Sequence, residues 1–345
     1  MATKLWTLHF MRICLANLLL FMSLYLLYPV LPVMMASRLG VPVSQTGVIF
    51  ILFTLAMFFI GPFHAYLVDV YKRKYICMLS FGVMVAATAG YTLVQNATHL
   101  LMLCIVQGLS FGMAATAGIT LAIDITNSTF RSAGNVVFSW AARLGMIIGA
   151  ALGVYLFRTH GFETLLYVAV ALGALGILFV SRVYVPFRAP IGMKVCSMDR
   201  FLLLRGLIPA FNLILIAFIP GLMLPVLAGA PSDVPVGGET VPFFALVGCG
   251  FLLSVLIVKL FFRYDNKMWL QIVVGLVTVI GSMAMLFSPE TSWNAPAAVL
   301  MGLGLGLVTP EFLMMFVKLS QHCQRGTANT THLLACCLLY TSPSP

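Results

Sequence analysis

Apolar runs of about twenty residues recur along the whole chain, and this repetition limits its fold more than any motif does. A hydrocarbon layer about 30 Å thick is crossed by about 20 residues of α-helix. A backbone inside that layer must satisfy every N–H and C=O internally. Ten runs meet the length: Arg12–Met35, Gln45–Val68, Tyr75–Val94, His99–Ile123, Asn135–Phe157, Thr164–Arg182, Gly206–Gly229, Val241–Phe262, Met268–Phe287 and Ala295–Val317. An eleventh begins near Asn329. Hydrophobic residues make up 61% of the 345 and charged residues 8%, with a mean hydropathy of +1.07. Soluble domains carry about 25% charged residues, so water cannot be the solvent for most of this surface. The expectation is an all-α polytopic membrane protein.

The basic residues set the orientation. Cytoplasmic loops of membrane proteins are enriched in Lys and Arg. With the N-terminus inside, sixteen of the 19 fall on inner segments, Arg38 and Arg158 fall outside, and Arg143 falls within a span. Reversing one helix would spoil that alternation. The outer loops hold Glu163, Asp233, Glu239 and Glu290 instead. The formal charge of +10 is scattered between apolar runs and faces anionic lipid, with no patch for nucleic acid. The N-terminal run is too long for a cleaved signal and has no small-residue cleavage site, so it reads as a retained first span in the plasma (inner) membrane. The eight cysteines show no metal-ligand spacing and read as small buried hydrophobes. Asn96-Ala-Thr98 fits a glycosylation acceptor on an outer loop.

A shift of about 194 residues superposes several features. Gly108 and Gly112 fall on Gly302 and Gly306, and Arg131 and Asn135 fall on Arg325 and Asn329. Arg12 and Pro32 meet Arg205 and Pro225 one residue earlier, and Asn17 meets Asn212 one residue later. The shift maps span 4 onto span 10, so the repeat holds six spans, and an even number keeps both halves in one orientation. The expected division is residues 1–182, a central cytoplasmic loop 183–205, and a second bundle 206–336. The end, Cys337-Leu-Leu-Tyr-Thr-Ser-Pro-Ser-Pro345, stops an apolar run abruptly and resembles a translated sequencing adapter. Residues 337–345 are therefore expected to be an artefactual tail, and the second bundle to be incomplete.

Three stretches carry a family resemblance. The loop after span 2 runs Gly61-Pro-Phe-His-Ala-Tyr-Leu-Val-Asp69-Val-Tyr-Lys72-Arg73-Lys74. It resembles the inter-span signature of the major facilitator superfamily, Gly-x-Leu-x-Asp-Arg-x-Gly-Arg-Lys. Leu67, Asp69, Arg73 and Lys74 match, while Ala65, Val70 and Lys72 depart. Gln107-Gly108 with Gly112 is similar to the family's span-4 pattern, with Cys104 where an Arg is usual. Gly145, Gly149 and Gly153 follow its span-5 antiporter spacing, with Ala150 in place of Pro. Small residues every four positions also simply let helices approach closely. The resemblance implies two six-helix bundles around a cavity that opens alternately to each side. It implies a conformational gate at Gly61, Asp69, Arg73 and Lys74.

The residues themselves mark a solute pathway. Arg143 and Glu311 are ionisable groups inside spans, where such groups are expensive and mark function by default. Snorkelling to the inner face is the other reading of Arg143. For Glu311, which follows Pro310, the other reading is a carboxylate satisfied at a helix kink. Asn17, Gln107, Asn212 and Tyr28, with Tyr25, are further cavity-lining candidates, each also explained by an interhelical hydrogen bond. The chain has no phosphate-cradling loop, no catalytic triad, no metal site, no cofactor motif and no soluble domain for ATP. Three readings stay open: a proton-coupled exporter of small amphipathic molecules, an ion-coupled uptake symporter for a nutrient or organic anion, and a membrane receptor or scaffold that transports nothing. A monomer in the bilayer is expected in each.

Overall fold

A computed structural model describes residues 5–42, 48–185, 195–196, 201–216, 233–236, 239–262, 267–288, 291–320 and 325–337. The helices are α1 (Leu8–Tyr25), α2 (Leu31–Leu39), α3 (Val48–Phe59), α4 (Gly61–Val70), α5 (Arg73–Gly90), α6 (Ala97–Ile125) and α7 (Arg131–Ser181). After the central segment come α8 (Leu204–Ile216), α9 (Phe243–Phe261), α10 (Met268–Leu286), α11 (Asn294–Leu319) and α12 (Arg325–Cys337). Among the described residues, seven helices are long and apolar enough to cross a membrane. Large apolar side chains such as Phe59, Leu79, Ile208, Leu260 and Ile280 stand on the outer surface. Exposed apolar area on that scale belongs against lipid.

Proline explains where the expected spans break. The run Arg12–Met35 divides into α1 and α2 around Pro29, and α2 restarts with Pro32 in its first turn. The run Gln45–Val68 divides into α3 and α4 at Ile60, with Pro62 in the first turn of α4. A proline tolerates the first helical turn but removes a hydrogen bond further in. Spans 5 and 6 are two helices of α7 that meet at a kink at Gly161, with φ 83° and ψ 177°. That left-handed region is open to glycine at little cost, so the polar connection is one tight corner. Asn96 caps α6, its Oδ1 accepting from His99 N at 2.8 Å. The segment before α9 contains a short antiparallel pair, β1 (Asp233–Val236) with β2 (Glu239–Pro242).

Packing follows the repeat. A Cβ on Gly108 would sit 2.3 Å from Phe53 O, and one on Gly302 would sit 1.9 Å from Val247 O. Phe53 to Val247 is the same step of 194 as Gly108 to Gly302. Thus α6 lies on α3 just as α11 lies on α9, through equivalent residues. Helix α7 begins at Arg131 and α12 at Arg325, again 194 apart. One core gathers Phe10, Phe21, Phe81, Phe111 and their neighbours, and a second gathers Leu213, Ile272, Phe312 and Phe316. Phe201 and Leu334 leave the second half of the chain to pack in the first core.

The described cysteines are all free; Cys14, Cys77, Cys104 and Cys336 are buried, whereas Cys196 and Cys249 are exposed. The tail 338–345 and most of the central loop and of the expected seventh span lie outside the described residues.

Candidate functional site

A cavity enclosing about 590 Å³ of empty space, open solvent included, lies between the halves. Its walls come from α1 (Asn17, Tyr25), α6 (Ala115, Ile119), α7 (Asn135, Phe138, Arg143), α11 (Leu313) and α12 (His332, Cys336). Most of the wall is apolar or aromatic, with a few polar groups among them, and Arg143 and Cys336 in contact. That composition suits a small solute with an apolar body and one polar end.

Arg143 is the cation of this site. Its Nη2 donates to Cys336 Sγ at 3.0 Å, and its Nε is buried without a hydrogen-bond partner among the described residues. A guanidinium carries five N–H donors, and a thiol sulfur is a weak acceptor. The group is therefore short of acceptors where it stands. Asn17 also reaches the cavity wall, where its Nδ2 donates to Phe138 O at 3.0 Å. His332 is 5% exposed, packs edge-on against Phe316 and lies 3.8 Å from Cys336 Sγ.

The other pathway candidates stand elsewhere. Gln107 is buried in a network between α5 and α6, accepting from Tyr91 Oη at 2.8 Å and donating to Thr88 Oγ1 at 2.9 Å. Tyr28 belongs to an aromatic stack, 5.2 Å from Tyr25, 4.7 Å from Phe50 and 5.4 Å from Phe53 by ring centroids. Asn212 is exposed on α8. Glu311 is half-buried beside Pro310 in α11, two residues from the wall residue Leu313.

The glycines of α7 lie on α1. A Cβ at Gly145, Gly149 or Gly153 would come within 2.3 Å of Leu18 O, 2.7 Å of Met22 O and 2.2 Å of Leu26 O respectively. The four-residue spacing on α7 meets a four-residue spacing on α1, so two backbones run in contact over about two turns.

The expected gate is a charge triad. Arg73 Nη2 meets Asp69 Oδ1 at 2.6 Å, and Arg73 Nη1 meets Asp124 Oδ2 at 2.6 Å, with all three side chains mostly buried. Asp69 ends α4 and Arg73 opens α5, each at the helix terminus where its own charge is disfavoured. Placing opposite charges together offsets both. Asp124 closes the triad from α6. Lys74 is half-buried beside it. Gly61 is covered by the Phe201 ring, whose Cε2 would lie 1.7 Å from a Cβ there, and Phe201 also stacks edge-on against Phe58 at 5.0 Å. Leu203 N donates to Thr331 Oγ1 at 2.9 Å. Phe201 and Leu203, at the end of the central segment, thus meet α4 and α12 respectively.

His332 and Cys336 are the site residues that motif reasoning passed over. A signal for the first existed: the repeat step sets His332 against Phe138, and Phe138 is itself a wall residue.

The comparisons with known proteins agree with this architecture. The family model for the Major Facilitator Superfamily matches residues 13–340. No curated protein sequence matches. Among solved structures, a bacterial homologue of the human lysosomal transporter Spinster, inward-facing and unoccupied, is similar at 15% identity and TM-score 0.65, covering 96% of this chain and 79% of that one. The human organic anion transporter MFSD10 is similar at 16% identity and TM-score 0.68, covering 96% and 91%. The peptide transporter POT, bound to alafosfalin, is similar at 13% identity and TM-score 0.70, covering 96% and 86%. At such identities these structures speak for the fold. Taken with the repeated helix packing and the cavity between the halves, the family match places this chain in the Major Facilitator Superfamily, as a membrane transporter of small solutes and not an enzyme.

Proposed function

We propose that the chain moves a small amphipathic organic anion by alternating access, with Arg143 as the group that holds the anionic end. The observation that carries this reading is the Arg143 guanidinium, which enters the inter-half cavity with a buried, unpartnered Nε and only a thiol on Nη2. An intramembrane charge with so few acceptors is costly. A carboxylate supplies the paired acceptors its fork is shaped for. The organic anion transporter MFSD10 shares this fold and is compatible with such a substrate.

The packing supports rigid-body rocking of residues 1–182 against 206–336. Backbone-to-backbone glycine contacts fasten α7 to α1, α6 to α3 and α11 to α9. Between the halves the contacts are made through side chains, among them Trp140 with Phe251, Gly248 with Ile147, Arg143 with Cys336, and Leu334 against the first core. Two bodies each fastened backbone to backbone, and joined to one another through side chains, can change their mutual angle more readily than either can deform internally. A solute touching both bodies biases that angle by its differential affinity.

Proton-coupled export is the transport mode we favour, on the antiporter-like spacing of Gly145, Gly149 and Gly153, with Glu311 as the proton-site candidate and the N-terminus cytoplasmic in the plasma membrane. Uptake driven by an ion gradient uses the same cavity and is the second reading, favoured by the cationic anchor. Purified monomer in proteoliposomes decides between them. Under export by exchange, an acid lumen drives anionic solutes inward against their gradient. Under symport, an acid exterior does so. Absence of flux for amphipathic anions, matched amines and neutral analogues under both gradients leaves the scaffold reading standing.

A further inference from the structure

A guanidinium with five donors is poorly served by one sulfur, and the groups around that sulfur come from the opposite half of the protein. Cys336 Sγ accepts from Arg143 Nη2 at 3.0 Å and lies 3.8 Å from His332 Nε2. His332 and Cys336 share one face of α12, four residues apart, and both line the cavity. The His332 ring packs edge-on against Phe316, with centroids 5.7 Å apart. It is therefore a positioned side chain, with Nε2 directed at the sulfur. The sulfur occupies the space between a cation of α7 and an imidazole of α12, with Arg143 Nε still unpartnered beside it.

We infer that Arg143, His332 and Cys336 form one composite anion seat across the two halves, in which the Cys336 thiol is a placeholder that an incoming carboxylate or sulfonate displaces. The inference rests on Arg143 as the anionic anchor and adds His332 and Cys336 as specificity-determining residues. One oxygen of the anion takes the Arg143 fork. The other takes an N–H from His332 Nε2, in the tautomer or protonation state that carries a proton there. Displacement of the thiol exchanges a weak acceptor for charge-assisted hydrogen bonds. Because the partners belong to different halves, the bound anion ties α7 to α12. A solute lacking the anionic group leaves the thiol in place and the halves untied.

The test is charge-selective labelling of Cys336 in the full chain in nanodiscs, with the other seven cysteines replaced by Ser or Ala. The probes are a sulfonatoethyl and a trimethylammonium-ethyl methanethiosulfonate, each rate normalised to a free thiol in solution. The expected result is a normalised preference of about 25-fold for the sulfonate, since one fixed cation at about 4 Å in a wet site favours the anionic probe about fivefold and disfavours the cationic one about fivefold. Arg143→Gln removes that preference. His332→Phe slows the sulfonate about threefold or more without changing the cationic rate, and His332→Gln, which keeps an N–H donor, restores it. A sulfonate preference that depends on Arg143 but is indifferent to His332→Phe overturns the seat and leaves the Arg143 anchor intact. A preference that survives Arg143→Gln overturns both. Labelling by neither probe, in protein whose melting matches the parent, also overturns the seat, because the thiol then does not face an accessible cavity.

Discussion

Arg143 Nη2 stands 3.0 Å from Cys336 Sγ, and the two residues are 193 apart in sequence, one short of the repeat step. A residue can touch the counterpart of its own position only near the axis that relates the two halves. The cation of the cavity is therefore nearly on that axis. For a parallel repeat the axis runs along the membrane normal. Rocking of the halves changes the surroundings of such a group symmetrically, so a solute held there senses both.

The charge triad sets the first prediction. Arg73→Ala strands two mostly buried carboxylates, Asp69 and Asp124. Breaking a buried pair by removing one partner costs about 3 kcal/mol. Thermal unfolding in detergent, followed by tryptophan fluorescence, should show the largest loss for this variant. Adding Asp69→Asn and Asp124→Asn should recover part of it. An unchanged melting curve for Arg73→Ala would show that the triad contributes nothing.

Close helix approach sets the second. Gly153→Val puts a side chain where Leu26 O lies 2.2 Å from an ideal Cβ, whereas Gly82→Ala meets nothing within 4 Å. The first should abolish folded, monodisperse protein on gel filtration. The second should be neutral or stabilising by up to about 1 kcal/mol, the helix preference of Ala over Gly. Equal behaviour of the two would contradict the described contact of α7 with α1.

The repeat makes a quantitative demand of its own. Gly108→Ala and Gly302→Ala offend equivalent carbonyls, Phe53 O and Val247 O. Both should destabilise, and combining them should give close to the sum of the single effects, since the sites share no partner. A large loss at one position and none at the other would separate the packing of the halves.

Phe201 provides the fourth. It is 1% exposed, covers Gly61 and stacks on Phe58. Phe201→Ala should cost about 3 kcal/mol in melting experiments. It should also speed thiol labelling of a cysteine introduced at Thr330, which lines the same small cavity. Phe201→Leu should recover most of both. Unchanged labelling in Phe201→Ala would remove the central segment as a closure.

The all-helical, membrane-crossing character was legible because length and hydropathy are set by the bilayer. The interruptions at Pro29 and Pro62 were less so, since membrane helices tolerate proline when neighbours satisfy the freed groups. Arg143 was legible as a charge out of place. Its surroundings were not: His332 and Cys336 lie on a helix rich in Thr, and only tertiary packing turns that face toward the cavity. Gln107 shows the reverse. A polar residue in a span advertises a pathway, yet here Tyr91 engages its amide oxygen and Thr88 its amide nitrogen. Asp124 found Arg73, 51 residues away, through helix placement that no local pattern encodes.

The most direct test of the central claim is counterflow of amphipathic carboxylates and matched amines into proteoliposomes carrying the full chain or Arg143→Gln at equal folded amounts. The account predicts carboxylate flux by the parent and little amine flux. In Arg143→Gln it predicts a fall of about tenfold or more in carboxylate flux, the loss of one charge-assisted contact, with melting unchanged. Carboxylate flux that persists at the parent rate in Arg143→Gln, or a parent that carries amines in preference, would contradict it.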